Sequence, residues 1–152
     1  MKKIIFIIIL VSSSVYSQRG FKHLNIQGGV TYELDKNFEV GLQFDTKYFN
    51  NWQFFFSAFQ RNTEKGDKEN FTTGFYYSNN LIASKNNFLN LKFGTSLGTN
   101  SENFIFDLIA GLEYDYAITR DLKLSLLFKN NVMFNTDPNF RHALLIGLKF
   151  RL

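Results

Sequence analysis

The sequence predicts an all-β protein, an eight-stranded antiparallel up-and-down transmembrane β-barrel. Apolar and polar residues alternate along most of the chain, and a period of two places successive side chains on opposite faces of a strand. Aromatic residues make up 18% of the 152 residues, and there is a single proline. Beyond residue 17, no apolar run approaches the ~20 residues of a transmembrane helix. This combination is typical of strands that alternate lipid-facing and lumen-facing residues.

The N-terminus has the features of a secretory signal. Two lysines precede a purely apolar run, residues 4–11, and the small or polar residues that follow place a cleavage site after Ser17. We therefore predict a cleaved signal peptide over residues 1–17, an outer-membrane β-barrel domain over residues 18–152, and localisation in the cell outer membrane. Because the sequence has no cysteine, we expect neither a disulfide framework nor a lipid anchor.

The net charge argues against a nucleic-acid partner. Without the two leader lysines, the chain carries 15 basic and 13 acidic residues. A nucleic-acid-binding domain instead has a clustered basic face. We therefore expect no direct binding of nucleic acid.

Eight segments have the pattern of strands. The clearest runs from Phe38 to Phe49, where apolar residues or threonine occupy the even positions, and charged residues, glutamine or glycine occupy the odd positions up to residue 47. A helix would distribute those charges around its circumference. The predicted strands are His23–Leu34, Phe38–Phe49, Trp52–Asn62, Phe71–Leu81, Leu89–Gly98, Phe104–Ile118, Leu122–Phe134 and Arg141–Leu152.

The third predicted strand contains an exception to the alternation. Phe55 and Phe59 fall on its polar face, with Gln53 and Ser57. Either a small barrel packs these two rings in its interior, or a β-bulge shifts the register. The pattern does not decide between the two.

The predicted connections alternate in length. Short turns, Asn50-Asn51, Ser84–Asn87 and Arg120-Asp121, follow strands two, four and six. Longer polar loops, Thr63–Asn70, Thr99–Asn103 and Asn135–Asn139, follow strands three, five and seven. This rhythm is typical of short periplasmic turns and long external loops, with both termini in the periplasm, although the first external loop, Asp35–Asn37, is short.

The size of the residues decides which face points inwards. Alternation alone fits a soluble, lipocalin-like cup equally well. Eight strands, however, enclose an interior only wide enough for side chains, and five or six large apolar residues per strand would overfill it. We therefore predict that the apolar face contacts lipid and that charges of both signs fill the lumen. The predicted inner charges are Glu33, Glu39, Asp45, Asp107, Glu113, Asp115, Lys47, Arg61, Lys92, Lys123, Lys129, Lys149 and Arg151.

Two further properties follow from this arrangement. Aromatic residues at the strand ends are expected to form interfacial girdles: Phe38, Trp52, Phe71, Phe88, Phe104 and Tyr116. A lumen filled by long charged side chains is plugged, so we do not expect transport of large solutes, and slow leakage of small ions stays open.

No residue pattern indicates catalysis, a cofactor or a metal. His23 begins the first strand, and His142 falls on the outward face of the last. A membrane-embedded acyl hydrolase would need a nucleophile beside such a base, so we expect a structural or interfacial role for both. Asp107, Glu113 and Asp115 are spaced as paired carboxylates, but on a lumen-facing strand they are expected to join a salt-bridge network. The protein is therefore predicted not to be an enzyme.

The last strand is expected to close the barrel against the first. Gly147 followed by Phe150 and Leu152 partly matches the C-terminal signal that barrel-insertion machinery recognises. An aromatic residue is usual where Leu152 stands. The expected partners are thus this machinery and outer-membrane lipid.

The chain resembles the TraO family of conjugative-transposon transfer proteins. The resemblance rests on Gln18–Gly20, Leu24–Val30, Glu102–Ile105, Thr119–Leu124 and Phe140–Leu152. It implies an accessory component of a conjugative transfer apparatus, with other transfer proteins as partners. Two alternatives stay open: a general small barrel for envelope integrity or binding through external loops, and a lipid-modifying enzyme.

Overall fold

The computed structural model describes residues 22–32, 35–46, 49–63, 66–99, 103–134 and 139–152, and of residues 61–63 and 66–68 the backbone alone. The predicted signal peptide lies outside the described residues. So do Glu33, Lys47 and the side chain of Arg61, three of the predicted inner charges. No helix in the described part of the chain is long and apolar enough to cross a membrane.

Eight antiparallel strands form a closed barrel in which each strand pairs with its neighbours in sequence. The strands are β1 (His23–Thr31), β2 (Lys36–Asp45), β3 (Asn51–Thr63), β4 (Gly66–Ala83), β5 (Asn87–Thr99), β6 (Phe104–Ala117), β7 (Leu122–Phe134) and β8 (Phe140–Arg151). Pairing of β8 with β1 completes the cylinder. The predicted eight-stranded antiparallel barrel is confirmed. We call the end that carries His23 and Arg151 the terminal end, and the opposite end the hairpin end.

The seam between β1 and β8 is regular and tight. The two strands pair from His23 opposite Arg151 to Thr31 opposite Ala143. At Gly147, an added Cβ would lie 2.1 Å from the carbonyl oxygen of Ile26 in β1. Because only glycine permits so close an approach of two backbones, Gly147 is needed for this closure.

The strands are staggered by ten residues around the barrel. A path across the hydrogen-bonded neighbours leaves β8 at Arg151 and returns to it at Arg141, passing through His23, Gln43, Gln53, Tyr76, Gly94, Ile109 and Asn131. Such a stagger tilts the strands by ~35–45° from the barrel axis. Residues far apart on non-adjacent strands are thereby brought to the same level of the lumen.

Several predicted boundaries at the hairpin end are wrong. The predicted loop Thr63–Asn70 is mostly strand, since β3 continues to Thr63 and pairs there with Gly66 of β4. The connections at the hairpin end have four, two, four and five residues, and those at the terminal end have five, three and four. The predicted alternation of short and long connections is therefore also wrong. Residues 135–138, most of the predicted loop Asn135–Asn139, lie outside the described residues.

The β3–β4 hairpin projects beyond its neighbours. The ladder between β2 and β3 ends at Lys36 opposite Gln60, and that between β4 and β5 ends at Phe71 opposite Thr99. Residues 61–63 and 66–70 extend past both points. The sequence from Thr63 to Asn70 contains no large apolar residue and therefore shows no hydrophobic period. Its polar composition is compatible with strand as well as loop, and composition therefore misplaced this boundary.

The inner and outer faces have the predicted polarity. Among the described residues, 25 buried residues are polar or charged and nine are hydrophobic, whereas large hydrophobic residues are exposed on the outside. Phe55 and Phe59 are both buried, at 3% exposure, and the ladders on either side of them are unbroken. The rings therefore pack inside. The register shift occurs instead in β4, between Asn80 and Ile82.

Candidate functional site in the barrel lumen

A charged cluster fills the terminal half of the lumen. It consists of Lys92, Glu113, Asp115 and Lys149, all buried. Lys92 Nζ lies 2.7 Å from Glu113 Oε1, Lys149 Nζ lies 2.6 Å from Glu113 Oε2, and Lys149 Nζ lies 2.8 Å from Asp115 Oδ2. Period-two alternation on β6 points both carboxylates inwards, and the stagger brings β5 and β8 to their level. Two ammonium groups thus face two carboxylates.

Neutral polar side chains complete the shell of this cluster. Gln53 Oε1 accepts a hydrogen bond from Lys92 Nζ at 2.8 Å. Ser125 Oγ accepts one from Gln27 Nε2 at 2.9 Å and donates to Glu113 Oε1 at 3.3 Å. Buried charges need such additional hydrogen bonds, because Coulomb attraction alone does not offset the cost of removing them from water.

A second ion pair lies at mid-height among aromatic rings. Lys129 Nζ is 2.7 Å from Glu39 Oε2, and the Tyr76 hydroxyl donates to the same oxygen at 3.0 Å. The ring of Phe55 stacks on that of Tyr76, with centroids 4.2 Å apart. Lys129 Nζ lies 5.9 Å from the centroid of Phe55, within the range of cation–π attraction.

An apolar cluster, Phe59, Ile105 and Met133, lies in the hairpin half of the lumen beside buried polar residues. The guanidinium carbon of Arg141 lies 5.4 Å from the ring centroid of Phe59. Beside it, Asp107 Oδ2 accepts a hydrogen bond from Ser96 Oγ at 2.8 Å. Arg141 was missing from the predicted inner charges, although its parity with Lys149 on the same strand would have found it.

The predicted inner charges are mostly correct. Glu39, Asp107, Glu113, Asp115, Lys92, Lys129 and Lys149 are buried in the lumen. Asp45 and Lys123 are only partly buried. The placement of Arg151 inside is wrong: its side chain is 53% exposed, with Nη1 3.9 Å from Asp121 Oδ1, because the lumen opens to solvent at the last residue of β8.

The terminal mouth of the barrel holds a small open cavity of about 230 Å³. Phe88 lines it, with Lys123 Nζ 4.7 Å from its ring centroid, and Phe49 packs 6.2 Å from Phe88. Phe88 is therefore a mouth residue, and its predicted position in an outer girdle is wrong. The other five predicted girdle residues lie on the outward-facing side of the strands: Phe38, Trp52, Phe71, Phe104 and Tyr116.

The two histidines lie apart from each other and from the charged cluster. His23 is buried at the terminal mouth, with Nδ1 3.9 Å from Asp45 Oδ1. His142 is on the outward face, as predicted, and its Nδ1 bonds Asn130 Oδ1. In the described part of the chain, neither ring is hydrogen-bonded to a hydroxyl group, and no three His, Cys, Asp or Glu residues could hold a metal.

The chain has the fold of small outer-membrane β-barrels. It is similar to neisserial surface protein A, with a TM-score of 0.62 and 12% identity over 86% of this chain and 94% of that one. It is also similar to the outer membrane enzyme PagL, with a TM-score of 0.58 and 12% identity over 86% and 99% of the two chains. The outer membrane protein Ail of Yersinia pestis matches with a TM-score of 0.55 and 11% identity over 86% and 99%.

These likenesses concern the fold alone. No protein-family model and no curated protein matches the sequence. One of the structural neighbours is an enzyme, so the fold does not decide whether this chain catalyses a reaction.

Proposed function

We propose that this chain is a non-enzymatic outer-membrane protein that acts through its outer wall and its ends, and that its lumen is closed. The observation that carries the proposal is that buried ion pairs occupy the terminal half and the mid-height of the lumen and that an apolar cluster lies in its hairpin half. Membrane placement is supported by the apolar outer wall, which a soluble barrel would expose to water.

The ion pairs are the reason that the lumen stays closed. Opening a path through the charged cluster requires Lys92 or Lys149 to leave Glu113, and a buried charge without its partner is strongly unfavourable. The apolar cluster closes the hairpin half independently. Conduction of large solutes would therefore require both halves to rearrange together.

Electrical recording across a planar lipid bilayer tests the closed lumen. The wild-type protein should insert into the bilayer without producing the stable conductance of a porin-sized channel. Replacement of Lys92, Glu113 and Lys149 by Ser should open no stable channel, because the apolar cluster still closes the hairpin half. The same replacement combined with Phe59→Ala should conduct measurably more than the wild type. Steady, wide conductance of the wild type would overturn the proposal.

The placement in the membrane has its own test. After folding into detergent, boiled and unboiled samples should migrate differently on a gel, because closed barrels resist unfolding by the detergent. Recovery of the protein from cells as a soluble periplasmic monomer would overturn membrane placement and leave the signal-peptide prediction standing, because periplasmic proteins are exported in the same way.

The finer role that we propose is that of an accessory to a conjugative transfer apparatus. Its support is the resemblance to the TraO family, which is strongest at the C-terminal end, over Glu102–Ile105, Thr119–Leu124 and Phe140–Leu152. The projecting β3–β4 hairpin offers a surface on which other transfer proteins could assemble. Deletion of the gene from a transfer-proficient donor should lower the frequency of conjugation, and the intact gene should restore it. Unchanged frequency would leave a general envelope role.

A further inference from the structure

The outer wall carries one polar pair between its strand ends. Asn130 of β7 and His142 of β8 are opposite each other in the ladder, and their side chains are hydrogen-bonded. Lipid-facing neighbours above and below them on both strands are apolar: Phe128, Val132, Phe140 and Leu144. Apart from tyrosines, the ionisable residues that face outwards in the described strands are His142, Lys36 at the start of β2 and Glu69 in the projecting β3–β4 hairpin.

Two outward threonine hydroxyl groups are bonded to backbone carbonyl groups of the wall itself. Thr73 Oγ1 donates to the carbonyl oxygen of Phe55 at 3.0 Å, and Thr95 Oγ1 donates to that of Asp107 at 2.9 Å. Asn130 differs from these threonines. Its side-chain oxygen, Oδ1, is bonded by His142, and its side-chain nitrogen, Nδ2, has no partner within the described residues. In hydrocarbon an unpaired N–H group costs several kcal/mol, so a ligand with an acceptor is expected there.

A groove lies beside this amide. It has a volume of about 360 Å³ and is lined by Phe93, Gly94, Leu108, Ile109, Ala110, Asn130 and Val132. Phe93, Ala110 and Asn130 are successive ladder partners on β5, β6 and β7. The small Ala110 between larger neighbours creates the depression. A concave, apolar groove accepts a flexible chain, whereas the convex wall of a second barrel would not enter it.

We propose that this groove binds an acyl-ester lipid of the surrounding membrane, with an acyl chain against Ala110 and the ester carbonyl accepting a hydrogen bond from Asn130 Nδ2. Lipid esters are acceptors without donors, which matches the two free N–H bonds of the amide. His142 is a positioning residue. By binding Oδ1 it turns Nδ2 towards the groove. The inference rests on the membrane placement proposed above.

Competition between two lipids tests the proposal. The protein is folded in detergent micelles that contain equal amounts of diester and diether phosphatidylcholine with the same chains, and the lipids retained are counted by native mass spectrometry. The wild type should retain the diester about fivefold over the diether, since one hydrogen bond separates them. Asn130→Leu should abolish the preference, and Thr73→Val, a matched loss of an outward hydroxyl, should keep it.

The positioning role of His142 has a separate readout. His142→Leu should lose the ester preference, whereas His142→Gln, whose amide can donate to Asn130 Oδ1, should restore it. Equal retention of both lipids by the wild type, or an ester preference that survives in Asn130→Leu, would overturn the inference. So would a dimer that disappears in Asn130→Leu, because a second copy would then be the occupant. A protein that inserts in bilayers but shows no preference leaves the proposed function standing.

Discussion

At the terminal end of the lumen, Glu113 is bonded by Lys92 and Lys149, whereas at the hairpin end Phe59 packs with Ile105 and Met133. Both halves close the same lumen, the terminal half by ion pairs and the hairpin half by apolar packing. The charged cluster is directional: each carboxylate oxygen of Glu113 has a particular donor, and a shift in register would break both pairs. The apolar cluster depends on volume and tolerates substitutions that conserve it.

The difference has an energetic consequence. A buried ion pair contributes little net stability relative to apolar packing, because desolvation cancels much of the attraction, but loss of one partner is very costly. The terminal half is therefore expected to specify which residues face each other, while the hairpin half contributes ordinary packing energy. The following substitutions, in order of decreasing effect, test this contrast.

Glu113→Gln should have the largest effect. It removes one negative charge from between two buried lysines and keeps the size of the side chain, so we expect a loss of about 4 kcal/mol in the free energy of unfolding. Urea titration in lipid vesicles measures this, with Trp52, the single tryptophan of the sequence, as the fluorescent reporter. Asp121→Asn, at the solvent-exposed pair with Arg151, is the control and should change little. A loss below about 1 kcal/mol would mean that the lysines find other partners.

Phe59→Ala should have the next largest effect on the free energy of unfolding. Removing a ring that is 3% exposed leaves a cavity, and we expect a loss of about 3 kcal/mol in the same titration. Phe56→Ala is the matched control, because this ring is on the outward face of the same strand and lipid can fill its place. If the two substitutions cost the same, the hairpin half of the lumen is not packed as a core.

The parity of the strands could be predicted from the sequence, but the contacts across the lumen could not. Alternation on β6 placed Glu113 and Asp115 inside. Their pairing with Lys149 of β8 depends on the ten-residue stagger, which no local pattern encodes. The polar pair of Asn130 and His142 depends on a register between adjacent strands that the alternation does not give. The outward position of His142 was predicted, whereas its partner follows from the register between β7 and β8.

Phe88 and Arg141 lie near strand ends and keep the inner parity of their strands, whereas Arg151 has that parity but is exposed where the lumen opens to solvent. Phe88 has the parity of Asn90 and Lys92, which already places it on the inner side, yet its aromatic character at a strand end favoured a girdle. Arg141 was missed in the same way. The projecting hairpin was predicted as a loop because the sequence from Thr63 to Asn70 contains no large apolar residue and so carries no hydrophobic period.

The ion pair at mid-height tests whether charge and packing are interchangeable. In a variant with both Lys129→Met and Glu39→Gln, no uncompensated charge remains, and the amide oxygen of the introduced glutamine can still accept from the Tyr76 hydroxyl. We expect the double variant to lose about 1 kcal/mol, and Lys129→Met alone to lose more. Unfolding of wild type, both single variants and the double variant gives the coupling energy. A double variant less stable than either single one would contradict interchangeability.

The smallest effect is expected where the lumen meets solvent. Arg151 Nη1 and Asp121 Oδ1 are 3.9 Å apart and both side chains are more than half exposed, so Arg151→Ala should change the free energy of unfolding by less than about 0.5 kcal/mol. The dependence on salt should distinguish this exposed pair from the charged cluster. Raising the ionic strength to 1 M shortens the screening length to ~3 Å, which should erase any effect of Arg151→Ala, while the cost of Glu113→Gln should persist because its partners are shielded from ions by the wall. If salt reduced both effects equally, ions would have access to the cluster, and the terminal half of the lumen would be an open vestibule.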